Sequence, residues 1–354
     1  MAGKTRSVGM AKTVLVFLVV GAFTMAGYFA WAGGMFRTRE RVAIVSWNES
    51  PFWDQVFSGA KDAANEFGVD LQTVKCKSDE ASQSAKLREL ADAGVQGIAV
   101  SPNNDQSQVP VLNEIADKVT LVTFDSDAPT SKRKYFVGTD DYAAGHHCAA
   151  EVMSAIPQGG KVMISVGAID RENGRLRRQG LIDALTDRPF NRDGAASPLN
   201  EEAKGSKYTV VATLLDGGDR EKATAQMTEA LKSHPDIACV VGLFGYSTPA
   251  ILKSLADVGR SGKIKVIGFD AADETQLAME AGQVSATILQ DQYRCGYEAV
   301  RVLASAMRGV DEHGPRGARL LHLPITVVWA NDLDRLRQEK KIGQPKLSTT
   351  QPAK

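Results

Sequence analysis

Carboxylates, arginine, glutamine and aromatics recur in this sequence at one kind of place, directly after short apolar runs. After Ser46 comes W-N-E-S-P-F-W, holding Ser50, Phe52 and Trp53. After Thr123 comes F-D-S-D, holding Asp125 and Ser126. G-A-I-D-R-E-N-G-R follows Val166 and brings Asn173 and Arg175; D-G-G-D-R follows Leu215. F-G-Y-S-T-P after Leu243 supplies Tyr246 and Ser247, F-D-A after Gly268 supplies Asp270, and Q-D after Leu289 supplies Gln290. Such a mixture suits a neutral polyol. Carboxylates accept from pairs of hydroxyls, and arginine donates through its planar fork. Aromatic rings cover apolar C–H faces.

Other chemistries lack their residues. Neither G-x-G-x-x-G after the first apolar run nor G-x-x-x-x-G-K-[ST] occurs, so no nucleotide cofactor is expected. No Ser–His–Asp or Cys–His arrangement emerges, so no catalytic residue is assigned and no enzyme is expected. His146 and His147 are adjacent, which on a helix points them ~100° apart, unlike a chelating i,i+4 pair, so no metal is expected. The 42 basic and 42 acidic residues cancel, and no basic cluster offers a nucleic-acid footprint. The four cysteines are scattered without a C-x-x-C pair; Cys239 reads as a buried small hydrophobe, and one disulfide stays open. Plainer readings stand beside the site reading. Asp125 and Asp270 suit helix caps or turns, and Arg175 sits with Arg171, Arg177 and Arg178 in what could be a solvated charged face. Phe52 and Trp53, being adjacent, cannot both face the core; one is buried and one is offered to the cleft.

The apolar runs are strands in a strand–helix rhythm. Strands are expected at 42–46, 71–74, 97–101, 120–124, 161–166, 208–215, 237–243, 264–268, 284–289 and 322–329, with helices between most of them. Ser50 is placed to cap the first helix, with Pro51 in its first turn. Strict alternation with short links means parallel sheets covered by helices on both faces. A chain of 354 residues holds too many strands for one ordinary open sheet, so two doubly wound α/β lobes are expected. In such sheets ligands bind beyond the carboxyl ends of the strands, where the polar residues above fall.

The N-terminus sets the compartment. Lys4, Arg6 and Lys12 precede an apolar stretch, 13–36, long enough to span a bilayer, and Ala30-Trp31-Ala32 has the form of a signal cleavage site. Residues 1–40 are therefore expected to be a signal peptide or a membrane anchor, which puts the rest outside the cytoplasm.

The order and spacing of S-P-F-W, V-T-F-D-S-D, V-G-T-D-D-Y-A-A-G, N-G-R-x-x-x-x-G, V-I-G-F-D and A-T-I-L-Q-D-Q-Y resemble the type I periplasmic binding proteins of the ribose/galactose/xylose-binding group. The resemblance runs from about 41 to 329. It implies two lobes joined by three crossovers, near 138–140, 289–291 and 309–314. The first lobe would be 41–138 plus 291–309, and the second 139–290 plus 310–330, with 331–354 a disordered tail. It also implies a small sugar in the cleft, delivery to an ABC permease of the inner membrane, and no cofactor. On the matching positions it implies that Phe52 and Trp53 sandwich the sugar ring. Asp125 and Asp270 accept from hydroxyls, Arg175 donates from the second lobe with Asn173 close by, and Gln290 touches the ligand at a crossover. Ser50 is a polar contact. Two departures argue against ribose. Ser126 and Asp127 follow the first aspartate where ribose binders carry arginine, and Gly218 stands where they have an aromatic. Tyr246 or Ser247 stands in for an asparagine of that group. A membrane-tethered sugar-sensing co-receptor is the alternative role. A DNA-binding repressor of the same fold would need a helix-turn-helix where the apolar stretch stands.

Overall fold

The computed structural model describes residues 24–25, 39–310 and 319–339. The expected signal or anchor at 13–36 lies outside the described residues but for two positions, and so do residues 311–314 of the third expected crossover. Among the described residues no helix is long and apolar enough to cross a membrane. The described residues from 41 onward form one compact unit.

Two sheets are built in the same way. The first carries β1 (Arg41–Val45), β2 (Asp70–Val74), β3 (Gly97–Val100), β4 (Thr120–Phe124) and β5 (Tyr135–Thr139), all parallel, in the order β5-β4-β3-β1-β2. The second carries β6 (Gly160–Val166), β7 (Ala203–Lys204), β8 (Tyr208–Leu215), β9 (Ile237–Gly242), β10 (Lys265–Phe269) and β11 (Ala286–Gln290). Its central order, β11-β10-β9-β6-β8, repeats the first, and β7 closes the edge antiparallel to β8. Near-continuous burial of β3, β4, β5 and β11 is what parallel strands covered on both faces require.

Helices cover both faces. In the first lobe these are α1 (Phe52–Phe67), α2 (Glu80–Asp92), α3 (Val109–Ala116) and α9 (Gln292–Met307). In the second they are α4 (Asp141–Ala155), α5 (Glu172–Leu185), α6 (Arg220–Ser233), α7 (Ser247–Asp257) and α8 (Asp273–Glu280). Asp79, Asp140, Asp219 and Asp291 cap α2, α4, α6 and α9 by accepting from first-turn amides. Ser50 does not cap α1. Its own amide donates to Asn48 Oδ1 at 3.1 Å, and that oxygen also accepts from Trp53 Nε1 at 2.6 Å.

The chain passes from the first sheet to the second after β5, and from β11 to α9, which packs on the first lobe. The third passage differs. The single strand expected at 322–329 is two strands, β12 (Leu320–Leu323) and β13 (Ile325–Val328), meeting at Pro324. β12 pairs parallel to β5 of the first sheet, and β13 antiparallel to β11 of the second. The lobe boundary therefore falls at Pro324, not at 309–314. A proline donates no N–H to either ladder, so it suits the one residue that belongs to neither sheet. The start of the expected disordered tail is instead α10 (Leu333–Gln338), which buries Leu333 and Leu336 on the second lobe's core.

Candidate functional site

The loops after β1, β4, β9, β10 and β11 face one another across the lobe boundary. They enclose a cavity of about 470 Å³, within the usual range of small-molecule sites. Ser50, Phe52, Asp125, Tyr246, Asp270 and Gln290, all picked out by strand-end position, line it. So do Trp47, Asn48, Arg177, Phe244 and Gln276, which the strand-end reading did not single out.

Two aspartates define the floor. Asp125 follows β4 and Asp270 follows β10, which hold equivalent places in the shared strand order, each after a buried phenylalanine. Both have left-handed backbones, φ 62° and 57°. That region disfavours residues with a Cβ but is tolerated best by Asn and Asp, so this is no ordinary helix-cap geometry. Both side chains are about 95% buried, at 5% and 4% exposed. Asp125 Oδ2 accepts from Ser101 Oγ (2.7 Å) and Arg171 Nη2 (3.2 Å), with Asn173 Nδ2 at 3.5 Å. Asp270 accepts from the Gln290 side-chain amide, at 3.3 and 3.4 Å. Burial lifts its carboxyl to about 6, against the opposing pull of Arg177 and Gln290.

Arg177 is the buried cation of the cavity. Its Nε donates to Asp141 Oδ1 at 2.7 Å, Nη1 to Leu243 O at 3.0 Å, and Nη2 to Gln290 Oε1 at 2.8 Å. The guanidinium lies 4.0 Å from the Phe269 ring centre. Burial alone would lower its pKa, and the carboxylates of Asp141, Asp125 and Asp270 outweigh that. Burial lifts Asp141 to about 6 even beside Arg177. Thr139, at the end of β5, donates to Gln290 Oε1 at 3.1 Å, so the two crossover strands meet at one oxygen of the site.

Five expected site residues do not line the cavity. Trp53 is buried in the first lobe's core, edge-on to Phe52 and Phe124, so only Phe52 of the adjacent pair reaches the cavity. Ser126 and Ser247 are fully buried. Asn173 reaches across from α5 to Asp125 Oδ2, at 3.5 Å. Arg175 points away and pairs with Asp105 of the first lobe. The expected solvated face is not there either, since Arg171, Arg177 and Arg178 are at most 4% exposed. The signal for Arg177 was present in N-G-R-x-x-x-x-G. Gly180 packs against the Tyr142 carbonyl of α4, so the residue three before it shares that inward side, whereas residue 175 does not.

Trp47 was also missed. It packs on the first lobe's core and also meets the second lobe, with the Arg171 guanidinium 4.3 Å from its ring centre. A Cβ on Gly218 would come within 2.9 Å of the indole. The space left by the glycine of D-G-G-D is thus filled by an aromatic from the opposite lobe. His146 and His147 diverge as expected; His146 packs at a tilt against Tyr142 and Phe190, and His147 is exposed. All four cysteines are buried free thiols.

Two α/β lobes with a polar, aromatic-walled cavity between them define a cleft-type solute-binding protein. The periplasmic binding protein domain family matches residues 42–311, and the chain belongs to that family. It is a binding protein and not an enzyme. The D-allose-binding periplasmic protein of Escherichia coli is 26% identical over 282 residues, covering 77% of this chain and 85% of that one. Among solved structures, the glucose-galactose binding protein GanP of Geobacillus stearothermophilus is similar, with 29% identity and a TM-score of 0.74 over 84% of this chain and 99% of its own. An ABC transporter solute-binding protein from Burkholderia graminis, solved with D-arabinose, is 25% identical. Its TM-score is 0.74, over 84% of this chain and 98% of that one.

Proposed function

We propose that this chain captures a monosaccharide-sized neutral sugar in the interlobe cavity and delivers it to an ABC importer outside the cytoplasm. The observation that carries the reading is the lining itself. Asp125, Asp270, Arg177 and Gln290 offer acceptors and donors at fixed positions, while Trp47, Phe52 and Phe244 offer flat apolar faces. Hydroxyls need the first set and ring C–H faces the second. The sugars named for the relatives, D-allose, glucose, galactose and D-arabinose, are of this kind. Within the expected set, Ser50, Phe52, Asp125, Tyr246, Asp270 and Gln290 are proposed to contact the sugar, and Arg177 takes the place expected of Arg175. Ligand contacts from both lobes favour the closed form, so binding shifts the lobes toward closure. The apolar stretch 13–36 serves as the signal or anchor that brings the binding unit to the permease.

Titration calorimetry with a panel of pentoses, hexoses and polyols tests this. One or a few sugars bind at one site per chain. Arg177→Gln and Asp270→Asn each weaken binding roughly 10- to 100-fold, the loss of a hydrogen bond to a charged group. A folded protein that gives no heat with any sugar of the panel overturns the reading.

A further inference from the structure

The cavity accounts for only part of the surface the two lobes share. Beside it, the loop after β6 and the first turn of α5 meet the loop after β3 through contacts that involve no ligand. Arg175 forks onto Asp105, with Nη1 to Oδ1 at 2.9 Å and Nη2 to Oδ2 at 2.6 Å. Asp105 N donates to Asp170 O at 3.1 Å. Arg171 Nη1 donates to Pro102 O, and its Nη2 donates to Ser101 Oγ at 3.1 Å. Every one of these bonds joins the first lobe to the second. Asp105 is 4% exposed, and neither it nor Arg175 lines the cavity. Arg175 is held in place by a second bond, from Nη1 to Ile169 O at 3.2 Å.

We propose that the Arg175–Asp105 pair is a latch that closes the lobes without touching the ligand, and so sets affinity independently of which ligand is bound. The proposal rests on the cleft-binding reading above. Apparent affinity for a closing cleft scales with the fraction of molecules already able to close, and contacts made only in the closed form raise that fraction. A two-pronged guanidinium–carboxylate pair with its acid buried is the strong kind of ion pair, unlike the exposed pairs elsewhere on this surface. Parting the lobes removes the partner of Asp105 and the Asp170 bond together. Because Arg175 lies outside the cavity, its contribution multiplies the affinity of every ligand by the same factor. Selectivity stays with the lining residues.

The test uses the full chain with spin labels at Glu89→Cys in α2 and Glu229→Cys in α6. Both positions are well exposed, and the native cysteines are buried. Pulsed spin-resonance distances in the absence of sugar are expected to include a short, closed population. Arg175→Gln depletes it, and the charge swap Asp105→Arg with Arg175→Asp restores it. For two sugars of different intrinsic affinity, Arg175→Gln lowers both affinities by one common factor, roughly 5- to 50-fold. Raising salt narrows the gap between wild type and variant. Identical distance distributions in wild type and Arg175→Gln overturn the latch, and so do factors that differ between the two sugars. If no sugar binds, the cavity reading fails, while the distances still decide the latch.

Discussion

Asp270 and Asp141 are carboxylates that the fold holds at a cost. Burial raises both to about 6, so the folded state prefers them protonated. Their contribution to stability is therefore fully present below about pH 4 and lost as pH rises through about 6. At neutral pH both are charged, and Arg177 offsets only part of that cost. Asp270→Asn keeps the shape and an acceptor for Gln290 but removes the charge. It should raise the unfolding temperature of the unliganded protein at about pH 7.5 and leave it unchanged at about pH 4, while weakening sugar binding. Thermal melts at the two pH values check this, and a gain of equal size at both would contradict it. Wild-type sugar affinity should itself fall as pH drops below about 6, because a protonated Asp270 accepts fewer hydroxyls. That Asp125 and Asp270 line the cavity was legible in the sequence, because residues just beyond the carboxyl ends of strands in a doubly wound sheet fall at the cleft. Which arginine does so was not, because strand-end position says nothing about helical phase. Arg175 and Arg177, two apart on α5, face different lobes' business.

The elements that position Arg177 are α4 and α5, and glycines bring them together. A Cβ on Gly180 would lie 2.1 Å from Tyr142 O, and one on Gly145 would lie 2.2 Å from Arg177 O. The backbones approach closely enough for Arg177 of α5 to reach Asp141 of α4 with both side chains 1% exposed. Gly180→Ala must push the helices apart. It is expected to cost about 1–3 kcal/mol of stability, as overpacking does, and to weaken sugar binding by displacing Arg177. Urea unfolding and calorimetry check both effects, and unchanged stability would contradict the packing argument. At this scale the strand–helix rhythm was readable from apolar runs bounded by polar turns. Several elements were not. β5 (Y-F-V-G-T) follows a polar turn so closely that it read as part of a hinge. The paired strands around Pro324 form one apolar run whose division depends on which sheet each half joins. α10 has only Leu333 and Leu336 facing inward amid charged residues, and its helicity comes from docking on the second lobe rather than from its own pattern.

The whole molecule is a cleft whose two walls are built alike. Both sheets share a central strand order, and in each an aspartate with a left-handed backbone follows the equivalent strand, β4 or β10. β5 and β11, the crossover strands of the two lobes, touch through Thr139 and Gln290. Repetition explains why the two-lobed organisation was legible from alternation and chain length alone. The contacts that join the lobes were not legible, because they lie between residues distant in sequence: Asp105 and Arg175 are 70 positions apart. Trp47 reaches across to Gly218 and Arg171 and is hidden in the same way. A crystal structure of the chain with the sugar that binds most tightly tests the central claim most directly. The account predicts the sugar between Phe52 and Trp47 of one lobe and Phe244 of the other, within hydrogen-bonding distance of Asp125, Arg177 and Asp270. A sugar bound elsewhere on the surface, with that cavity left to solvent, would contradict it.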